Sequence, residues 1–141
     1  MATSGKRWAV DTSVAVAALD ASHAAHGPCR EAVSRRRPTL AGHAAFETYS
    51  VLTRMPGSLA LDGPTADSVI AATFPLVTWL AEEAAIKLLR RVGAVGIVGG
   101  AVYDALVGEA ARVGRFRLLT RDLRARRTYD LLGVDYELVG L

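Results

Sequence analysis

Short apolar runs of strand length alternate along this chain with longer stretches of helical character. Helices are predicted over residues 14–20, 23–37, 43–55, 65–72, 82–92, 101–113 and 123–132. Strands are predicted for the segments RWAVD, PTLAG, PLVTWL, RFRLLT and VDYELVG. This alternation predicts an α/β fold in which a central, mostly parallel sheet is covered by helices on both faces. No linker or repeat divides the chain, so a single domain of residues 1–141 is expected.

Capping and breaking residues set the predicted helix ends. Thr12 and Ser13 are predicted N-caps of the first helix, and Thr65 is a predicted N-cap of the fourth. Prolines follow the second and third predicted helices and are expected to end them. The segment from Pro56 to Pro64 is flanked by breakers, and we interpret it as a mobile loop that contacts a partner.

Composition narrows the class of protein. Hydrophobic residues make up 51% and charged residues 22% of the 141 residues, which is typical of a globular domain and not of a disordered one. The one cysteine, Cys29, cannot form an internal disulfide, which fits a reducing compartment. The longest apolar stretch, VIAATFPLVTWLA, is shorter than the roughly 20 residues of a membrane span and contains Pro75. No signal peptide is recognised near the N-terminus, so a cytoplasmic location is expected.

The charge is positive and is carried mainly by arginine. The formal net charge is +3, and 15 of the 17 basic residues are arginines. Six arginines and one acid lie between Arg115 and Arg127, and a second run spans Arg35 to Arg37. These runs are either solvated helix faces or a surface that tracks phosphates, and charge alone leaves both interpretations open.

Two aspartates follow apolar strands directly. Asp11 follows the first predicted strand, and Asp122 comes shortly after RFRLLT. Ligands of parallel α/β sheets bind in the crevice beyond the carboxyl ends of the strands, where these two carboxylates would face each other. The alternative is that each aspartate only caps the helix that follows it.

The other two candidate acids lie on predicted helices. Asp104 belongs to a nearly apolar helix, where an acid needs a cation, an arginine or the helix dipole to compensate its burial. Glu47 shares one side of its helix with His43, Ser50 and Arg54, a pattern that by itself indicates a solvated face. The opposite side of that helix, with Ala45, Tyr49 and Leu52, is predicted to be buried.

A cluster of carboxylates would favour a divalent cation. Neighbouring carboxylates raise one another's pKa, and a hard cation such as Mg²⁺ or Mn²⁺ removes the repulsion. A metal held in this way can activate water for attack at phosphorus, so acids in an arginine-rich protein suggest phosphodiester hydrolysis. The histidines show no zinc spacing with Cys29, and GAVGIVGG matches neither a dinucleotide fingerprint nor a P-loop.

Four segments together resemble the acidic motifs of the PIN-domain nucleases, in the order of that family. They are VDTSVAVAALD, HAAFETYSVLTRMPG, VYDALVGEAAR and LLTRDLRARRTYDLLGVDYELV, which place the family's acids at Asp11, Glu47, Asp104 and Asp122. The similarity covers nearly the whole chain. Its short form resembles the VapC toxins of toxin–antitoxin pairs.

The resemblance implies an α/β PIN fold and a Mg²⁺- or Mn²⁺-dependent endoribonuclease whose four acids hold or support the metal. It also implies that Ser13 and Thr120 line the site, that the protein is a homodimer, and that a small VapB-like antitoxin docks near the site. Arg121, Arg124 and Arg126 are candidate contacts to the RNA backbone. No further acid closely follows Asp122, unlike in some relatives, which leaves one-metal and two-metal chemistry open.

Three other functions compete with the toxin. A housekeeping RNA-processing nuclease of the same fold would differ by having no neighbouring antitoxin gene. A catalytically inactive RNA-binding module would bind RNA in a salt-dependent manner and would tolerate the loss of any acid. A receiver-type phosphoacceptor is disfavoured, because the only lysines are Lys6 and Lys87 and neither follows a late strand.

Overall fold

A computed structural model describes residues 5–141; Met1–Ser4, which belong to the predicted domain of residues 1–141, lie outside the described residues. Its five strands form one sheet in the order β3-β2-β1-β4-β5, and every neighbouring pair is parallel. The strands are β1 (Trp8–Val10), β2 (Thr39–Ala41), β3 (Val77–Thr78), β4 (Arg117–Thr120) and β5 (Tyr136–Leu138). The predicted α/β class with a central parallel sheet is confirmed.

Seven α-helices within residues 5–141 connect and cover the strands. They are α1 (Thr12–Leu19), α2 (His26–Arg36), α3 (Ala44–Arg54), α4 (Gly63–Thr73), α5 (Glu82–Ala94), α6 (Ala101–Val113) and α7 (Arg126–Leu132). Right-handed crossovers place the helices between β1 and β3 on one face of the sheet. The later crossovers run in the opposite direction across the sheet, so α5, α6 and α7 cover the other face.

The direction of chain progression reverses between β1 and β4. From β1 the chain moves outward to β2 and β3, and it then returns to β4 on the other side of β1. Such a switch point leaves a crevice at the carboxyl ends of the two strands, because the connections leave them in opposite directions. The end of β1 is followed by Asp11 and the end of β4 by Arg121 and Asp122.

The central strands are buried on both faces. Ala9 and Val10 of β1 and Leu118 and Leu119 of β4 have no exposed surface. Strands covered by helices on both sides are apolar throughout, which is why these segments show no alternation of polar and apolar residues. The ends of β1 and β4 are therefore fixed by packing from both sides.

The predicted caps of two helices were wrong, and in both an aspartate supplies the cap. The N-cap of α1 is Asp11, whose side chain accepts a hydrogen bond from the amide of Val14, so Thr12 and Ser13 lie inside the first turn. The N-cap of α4 is Asp62, and it accepts from the amide of the predicted cap, Thr65. Aspartate at a cap satisfies an otherwise unpaired amide, and its charge favours the positive end of the helix dipole.

Some predicted lengths also need correction. The segment from Pro56 to Pro64 is not a uniform loop, since it contains a 3-10 turn (Gly57–Leu59) and the start of α4. β3 has two residues instead of the six predicted, and α2 begins at His26 instead of His23. The predicted helix 123–132 begins as a 3-10 turn (Leu123–Ala125) before α7. α6 has the predicted bounds.

No helix within residues 5–141 combines the length and the hydropathy that a transmembrane segment requires.

Candidate active site

A cleft of about 690 Å³ lies at the carboxyl ends of β1 and β4. All four predicted acids line it, and we call it the acidic cleft: Asp11, Glu47, Asp104 and Asp122. The acids come from four separate segments that follow β1, lie on α3 and α6, and follow β4. The sheet order brings them together because β1 and β4 are neighbours.

Asp11 lies at the bottom of the cleft and is held by four donors. One carboxylate oxygen, Oδ1, accepts from the Ser13 hydroxyl at 2.5 Å and from the Val14 amide at 3.3 Å. The other, Oδ2, accepts from the hydroxyls of Thr120 and of Tyr129, the latter at 2.9 Å. Burial raises the pKa of Asp11, and these hydrogen bonds oppose the increase by stabilising the charged form. The network therefore fixes the orientation of this carboxylate.

The same hydroxyls connect the ends of β1 and β4. The amide of Arg121 donates to Ser13 Oγ at 2.9 Å, and the amide of Asp122 donates to Thr120 Oγ1 at 3.1 Å. Ser13 and Thr120 thus each accept a hydrogen bond from a backbone amide that follows β4, and each donates a hydrogen bond to Asp11. Ser13 lines the cleft as predicted, whereas Thr120 is fully buried and contacts Asp11 from behind the lining.

Asp104 is partly buried in the first turn of α6, and its environment disfavours negative charge. Its pKa is raised to about 6, first by burial and then by the negative charges of Asp122, Glu47 and Asp11. The positive charge of Arg124 only partly opposes this increase. The cleft therefore holds more negative charge than its own residues compensate.

Glu47 lies in the cleft, and the solvent-facing side of α3 that its helix pattern predicted is the side that lines the cleft. The Thr12 hydroxyl donates to Glu47 Oε1 at 2.9 Å. Ser50 and Arg54 share its side of α3, as the pattern indicated, but this side lines the cleft. The opposite side also differs from the prediction, because Tyr49 is 40% exposed while Thr48 is fully buried.

Asp11 and Asp122 each cap the segment that follows and also line the cleft, so capping is not their only structural role. Asp122 caps the 3-10 turn by accepting from the Arg124 amide at 3.0 Å, and it lines the cleft. Asp11 likewise caps α1 and lines the cleft. A capping position places a carboxylate at the positive end of a helix and at the end of a strand, which is where this cleft lies.

Of the three arginines predicted to contact RNA, only Arg124 lines the cleft. Its side chain is 95% exposed and lies 3.6 Å from Asp122 Oδ1. Arg126 is exposed and donates to the Tyr136 hydroxyl at 3.5 Å. Arg121 has a buried Nε with no hydrogen-bond partner among the described residues, and it lies beside Gly140, away from the lining.

Sequence reasoning missed three residues of the cleft. Tyr129 donates to Asp11 from α7, Thr12 donates to Glu47, and Arg54 lines the mouth. The sequence predicts Thr12 to be a helix cap and Arg54 to belong to a polar helix face, but it assigns neither residue to a site. Nothing in the α7 segment marks Tyr129, because its partner Asp11 is 118 residues away.

The chemistry of the donors fits a hard divalent cation, whereas the side-chain positions do not yet form a complete ligand set. Carboxylate oxygens are the ligands that Mg²⁺ and Mn²⁺ prefer, and the uncompensated charge around Asp104 would be neutralised by a cation. Within residues 5–141, however, no three His, Cys, Asp or Glu side chains are grouped so that they could hold a metal ion. Both oxygens of Asp11 already accept hydrogen bonds from protein donors.

The PIN domain family model matches residues 9–131 of this chain. The chain therefore belongs to the PIN-domain family. It is 44% identical to Ribonuclease VapC27 of Mycobacterium tuberculosis (strain ATCC 25618 / H37Rv) over 126 residues, which cover 89% of this chain and 92% of that protein. It is 42% identical to Ribonuclease VapC40 of Mycobacterium tuberculosis (strain CDC 1551 / Oshkosh) over 133 residues, which cover 93% of this chain and 98% of that protein.

A solved structure shares the fold. The crystal structure of VapBC2 from Rickettsia felis, bound to a DNA fragment from their promoter, contains a chain that matches with a TM-score of 0.60 and 13% identity. The match covers 94% of this chain and 98% of that chain. The sequence-based prediction of a VapC-type PIN domain is confirmed by these relatives.

Proposed function

We propose that this protein is a metal-dependent endoribonuclease and the toxin of a type II toxin–antitoxin pair. The observation that carries the proposal is the convergence of four carboxylates in one cleft, where burial and then the negative charges of the other three acids raise the pKa of Asp104 to about 6. Support also comes from two relatives of more than 40% identity that are named ribonucleases. The substrate is RNA, and the reaction is hydrolysis of a phosphodiester.

The four acids have distinct surroundings and would hold a Mg²⁺ or Mn²⁺ ion between them. When bound, such a cation activates a water molecule and neutralises charge that develops on the phosphate. Asp11 is the most rigid ligand, because Ser13, Thr120 and Tyr129 donate to it. Glu47, Asp104 and Asp122 are less buried and would close around the ion, since a cation removes their mutual repulsion.

Two arginines at the cleft would contact the substrate. Arg54 and Arg124 both line it and are exposed. A guanidinium offers a planar fork of N–H donors that matches two phosphate oxygens. These side chains would hold the phosphates that flank the scissile bond, while the carboxylates exclude RNA from the cleft unless a cation is present.

The remaining parts of the proposal rest on the VapC-type resemblance. The protein acts in the cytoplasm, forms a homodimer, and is inhibited by a small VapB-like antitoxin that docks near the acidic cleft. A small antitoxin gene beside this one would favour the toxin over a housekeeping RNA-processing nuclease. Size-exclusion chromatography with light scattering would test the dimer.

The test is incubation of the purified protein with total cellular RNA in Mg²⁺, in Mn²⁺ and in EDTA. Asp104→Asn is the variant, and Asp67→Asn, at an exposed position of α4 outside the cleft, is the matched control. We expect discrete cuts that require metal and that fall at least about a hundredfold in the Asp104 variant, as when a group that stabilises transition-state charge is removed. The Asp67 variant should cut as the wild type does.

Two results would contradict the proposal. Equal cleavage by the Asp104 variant would mean that the acidic cleft is not the active site. No cleavage by the wild type under any metal, together with RNA binding equal to that of the variant, would favour the inactive RNA-binding module.

A further inference from the structure

A second concave surface lies at the opposite end of the sheet. It is a pocket of about 980 Å³ at the amino ends of β1, β2 and β3. Five basic side chains line it, and we call it the basic pocket: Lys6, Arg7, Arg30, Arg36 and Arg37. Among the described residues that line it there is no aspartate or glutamate.

The convergence of these cations needs the fold. Lys6 and Arg7 precede β1, Arg30 lies in the middle of α2, and Arg36 and Arg37 form its end. The negative end of the α2 dipole favours the last two, but it acts only over the final turn of a helix. Helix-dipole stabilisation therefore does not explain why Lys6, Arg7 and Arg30 lie in the same pocket as the end of α2.

Two of the guanidinium groups are held in place by aromatic rings. Arg36 lies over the Trp8 ring at 3.8 Å and Arg7 lies over the Phe116 ring at 4.2 Å. Stacking of this kind supports the plane of a guanidinium, and Arg7, which forms no ion pair with a described residue, keeps the N–H donors at its edge for an anion. It also lowers the entropy that these side chains would lose on binding.

Arg36 retains an unused donor. Its Nη2 forms an ion pair with Glu137 at 3.1 Å, whereas its buried Nη1 has no hydrogen-bond partner among the described residues. A buried donor without an acceptor is unfavourable, so this group would gain from an acceptor in the pocket. A phosphate oxygen is a suitable acceptor for it. Lys6, Arg7, Arg30 and Arg37 form no ion pair with a described residue.

We propose that the basic pocket binds the phosphodiester backbone of RNA, away from the acidic cleft. Five cations on one surface match the repeated charge of a polynucleotide better than they match a single small anion. This inference rests on the proposed function for the identity of the polyanion. Charge alone left open whether the run from Arg35 to Arg37 is a solvated helix face or a phosphate-binding surface. The proposal makes Arg36 and Arg37 phosphate-binding residues.

The two surfaces are close enough to contact one RNA molecule. β1 has three residues, and strands rise about 3.3 Å per residue, so the ends of the sheet are on the order of 10–15 Å apart. Because the two surfaces face opposite ends of the sheet, an RNA that contacts both passes around the side of the domain, which a large folded RNA can do. The basic pocket would then increase the affinity for structured RNA, whereas a short oligonucleotide in the acidic cleft would not reach it.

The test compares two double variants with equal changes in net charge. Arg30→Gln/Arg37→Gln removes two cations of the pocket, and both side chains are exposed. Arg35→Gln/Arg90→Gln removes two exposed arginines outside it, one of them on the same helix. Binding of labelled bulk transfer RNA is measured in EDTA over a range of salt concentrations. Circular dichroism and urea unfolding verify that each variant is folded.

We expect the pocket variant to bind transfer RNA at least about fivefold more weakly and the control pair to bind within about twofold of wild type. The slope of log affinity against log salt should fall by about 1.5 in the pocket variant, because each lost phosphate contact reduces it by about 0.7–0.9. In the presence of metal, the pocket variant should cleave a short single-stranded oligoribonucleotide at the wild-type rate and show a raised KM for total RNA.

Equal weakening by the two pairs would overturn the proposal, since net charge and not the pocket would then be responsible. Binding of poly-glutamate is measured in parallel. A pocket variant that loses poly-glutamate binding but keeps RNA binding would also overturn the proposal, because the pocket would then bind an acidic protein segment. The binding measurements contain no metal and no cleavage step. Failure of the proposed nuclease activity would therefore appear in the cleavage assay alone.

Discussion

The two ends of the sheet carry opposite charge and are built in opposite ways. At the carboxyl ends, Asp11 is 4% exposed and accepts hydrogen bonds from three hydroxyls and an amide. At the amino ends, Lys6, Arg30 and Arg37 are exposed and form no ion pair with a described residue. Asp11 at the acidic end thus lies within the core, whereas Lys6, Arg30 and Arg37 at the basic end lie on the surface.

This difference follows from the size and solvation of the side chains. A carboxylate is short, so it reaches a common point only if its backbone lies close by, and burial then has to be compensated by donors. Arginine and lysine are long and keep their charge in water while their stems cover apolar surface. Substitution of Asp11 should therefore lower stability strongly, whereas substitutions at the basic end should change binding much more than stability.

The largest effect is expected for Asp11→Ala. The change removes the N-cap of α1 and leaves the hydroxyls of Ser13, Thr120 and Tyr129 without their acceptor. We expect the free energy of unfolding to fall by about 3 kcal/mol, measured by urea unfolding. Asp20→Ala, at a partly exposed carboxylate that accepts from the amide and hydroxyl of Ser22, should cost less than about 1 kcal/mol. Equal costs would remove the distinction between the acidic cleft and an ordinary surface acid.

A smaller loss of stability is expected for Gly108→Ala, which tests how closely α6 packs against Tyr129. A Cβ at this position of α6 would lie 2.9 Å from Cδ1 of Tyr129 and 3.0 Å from Cγ2 of Val134. Both neighbours are buried, so we expect an overpacking cost of about 1–3 kcal/mol in thermal or urea unfolding. The control is Gly93→Ala on α5, where no atom lies within 4 Å of the added Cβ. There, helix propensity should leave stability unchanged or increase it by up to about 1 kcal/mol.

Asp104→Asn should increase stability in the absence of metal. The folded-state pKa of Asp104 is raised from 3.8 to about 6, mainly by burial and then by neighbouring acids, so its charged form destabilises the fold. The proton stabilises the wild type below pH 4, and this stability is lost as the pH rises through about 6. Asp104 is partly exposed, so we expect a gain of about 1 kcal/mol at pH 7 instead of the full value of the shift.

The gain at Asp104 should shrink to zero as the pH falls from 6 towards 4, and urea unfolding at several pH values measures it. Added Mg²⁺ should stabilise the wild type more than the variant, because the variant lacks one of the proposed ligands. A variant less stable than the wild type at pH 7 in EDTA would show that Asp104 is not held in unfavourable surroundings.

The smallest effect on stability is expected at the basic end. Arg30→Gln/Arg37→Gln should change the free energy of unfolding by no more than about 0.5 kcal/mol, since both side chains are exposed. The same variant should still lose affinity for transfer RNA. A large loss of stability would show that the basic pocket is part of the structural framework.

The fold and most of the acidic cleft could be predicted because they depend on local patterns. Apolar strands that end in acids placed Asp11 and Asp122, and α6 was predicted with its observed bounds. Glu47 could not be assigned from its own helix, since a polar face next to solvent and one next to a cleft have the same pattern. Only the resemblance to PIN-domain nucleases singled it out.

The caps show a similar limit. Asp11, Thr12 and Ser13 are adjacent and are all good capping residues, so local propensity does not choose between them. The choice depends on Thr120 and Tyr129, whose hydroxyls fix the Asp11 carboxylate from more than a hundred residues away. A pattern confined to one segment carries no information about such partners.

The sequence by itself determined the alternation of strands and helices, the class of fold, and the chemical character of the two surfaces. These follow from hydrophobic periodicity and from the types of charged residue, which are properties of short segments. The tertiary structure alone decided that β1 lies beside β4, that Tyr129 contacts Asp11, and that Arg36 and Arg37 line a pocket while Arg35 does not. Strand order and side-chain contact depend on how distant segments share one core, and no local pattern encodes that.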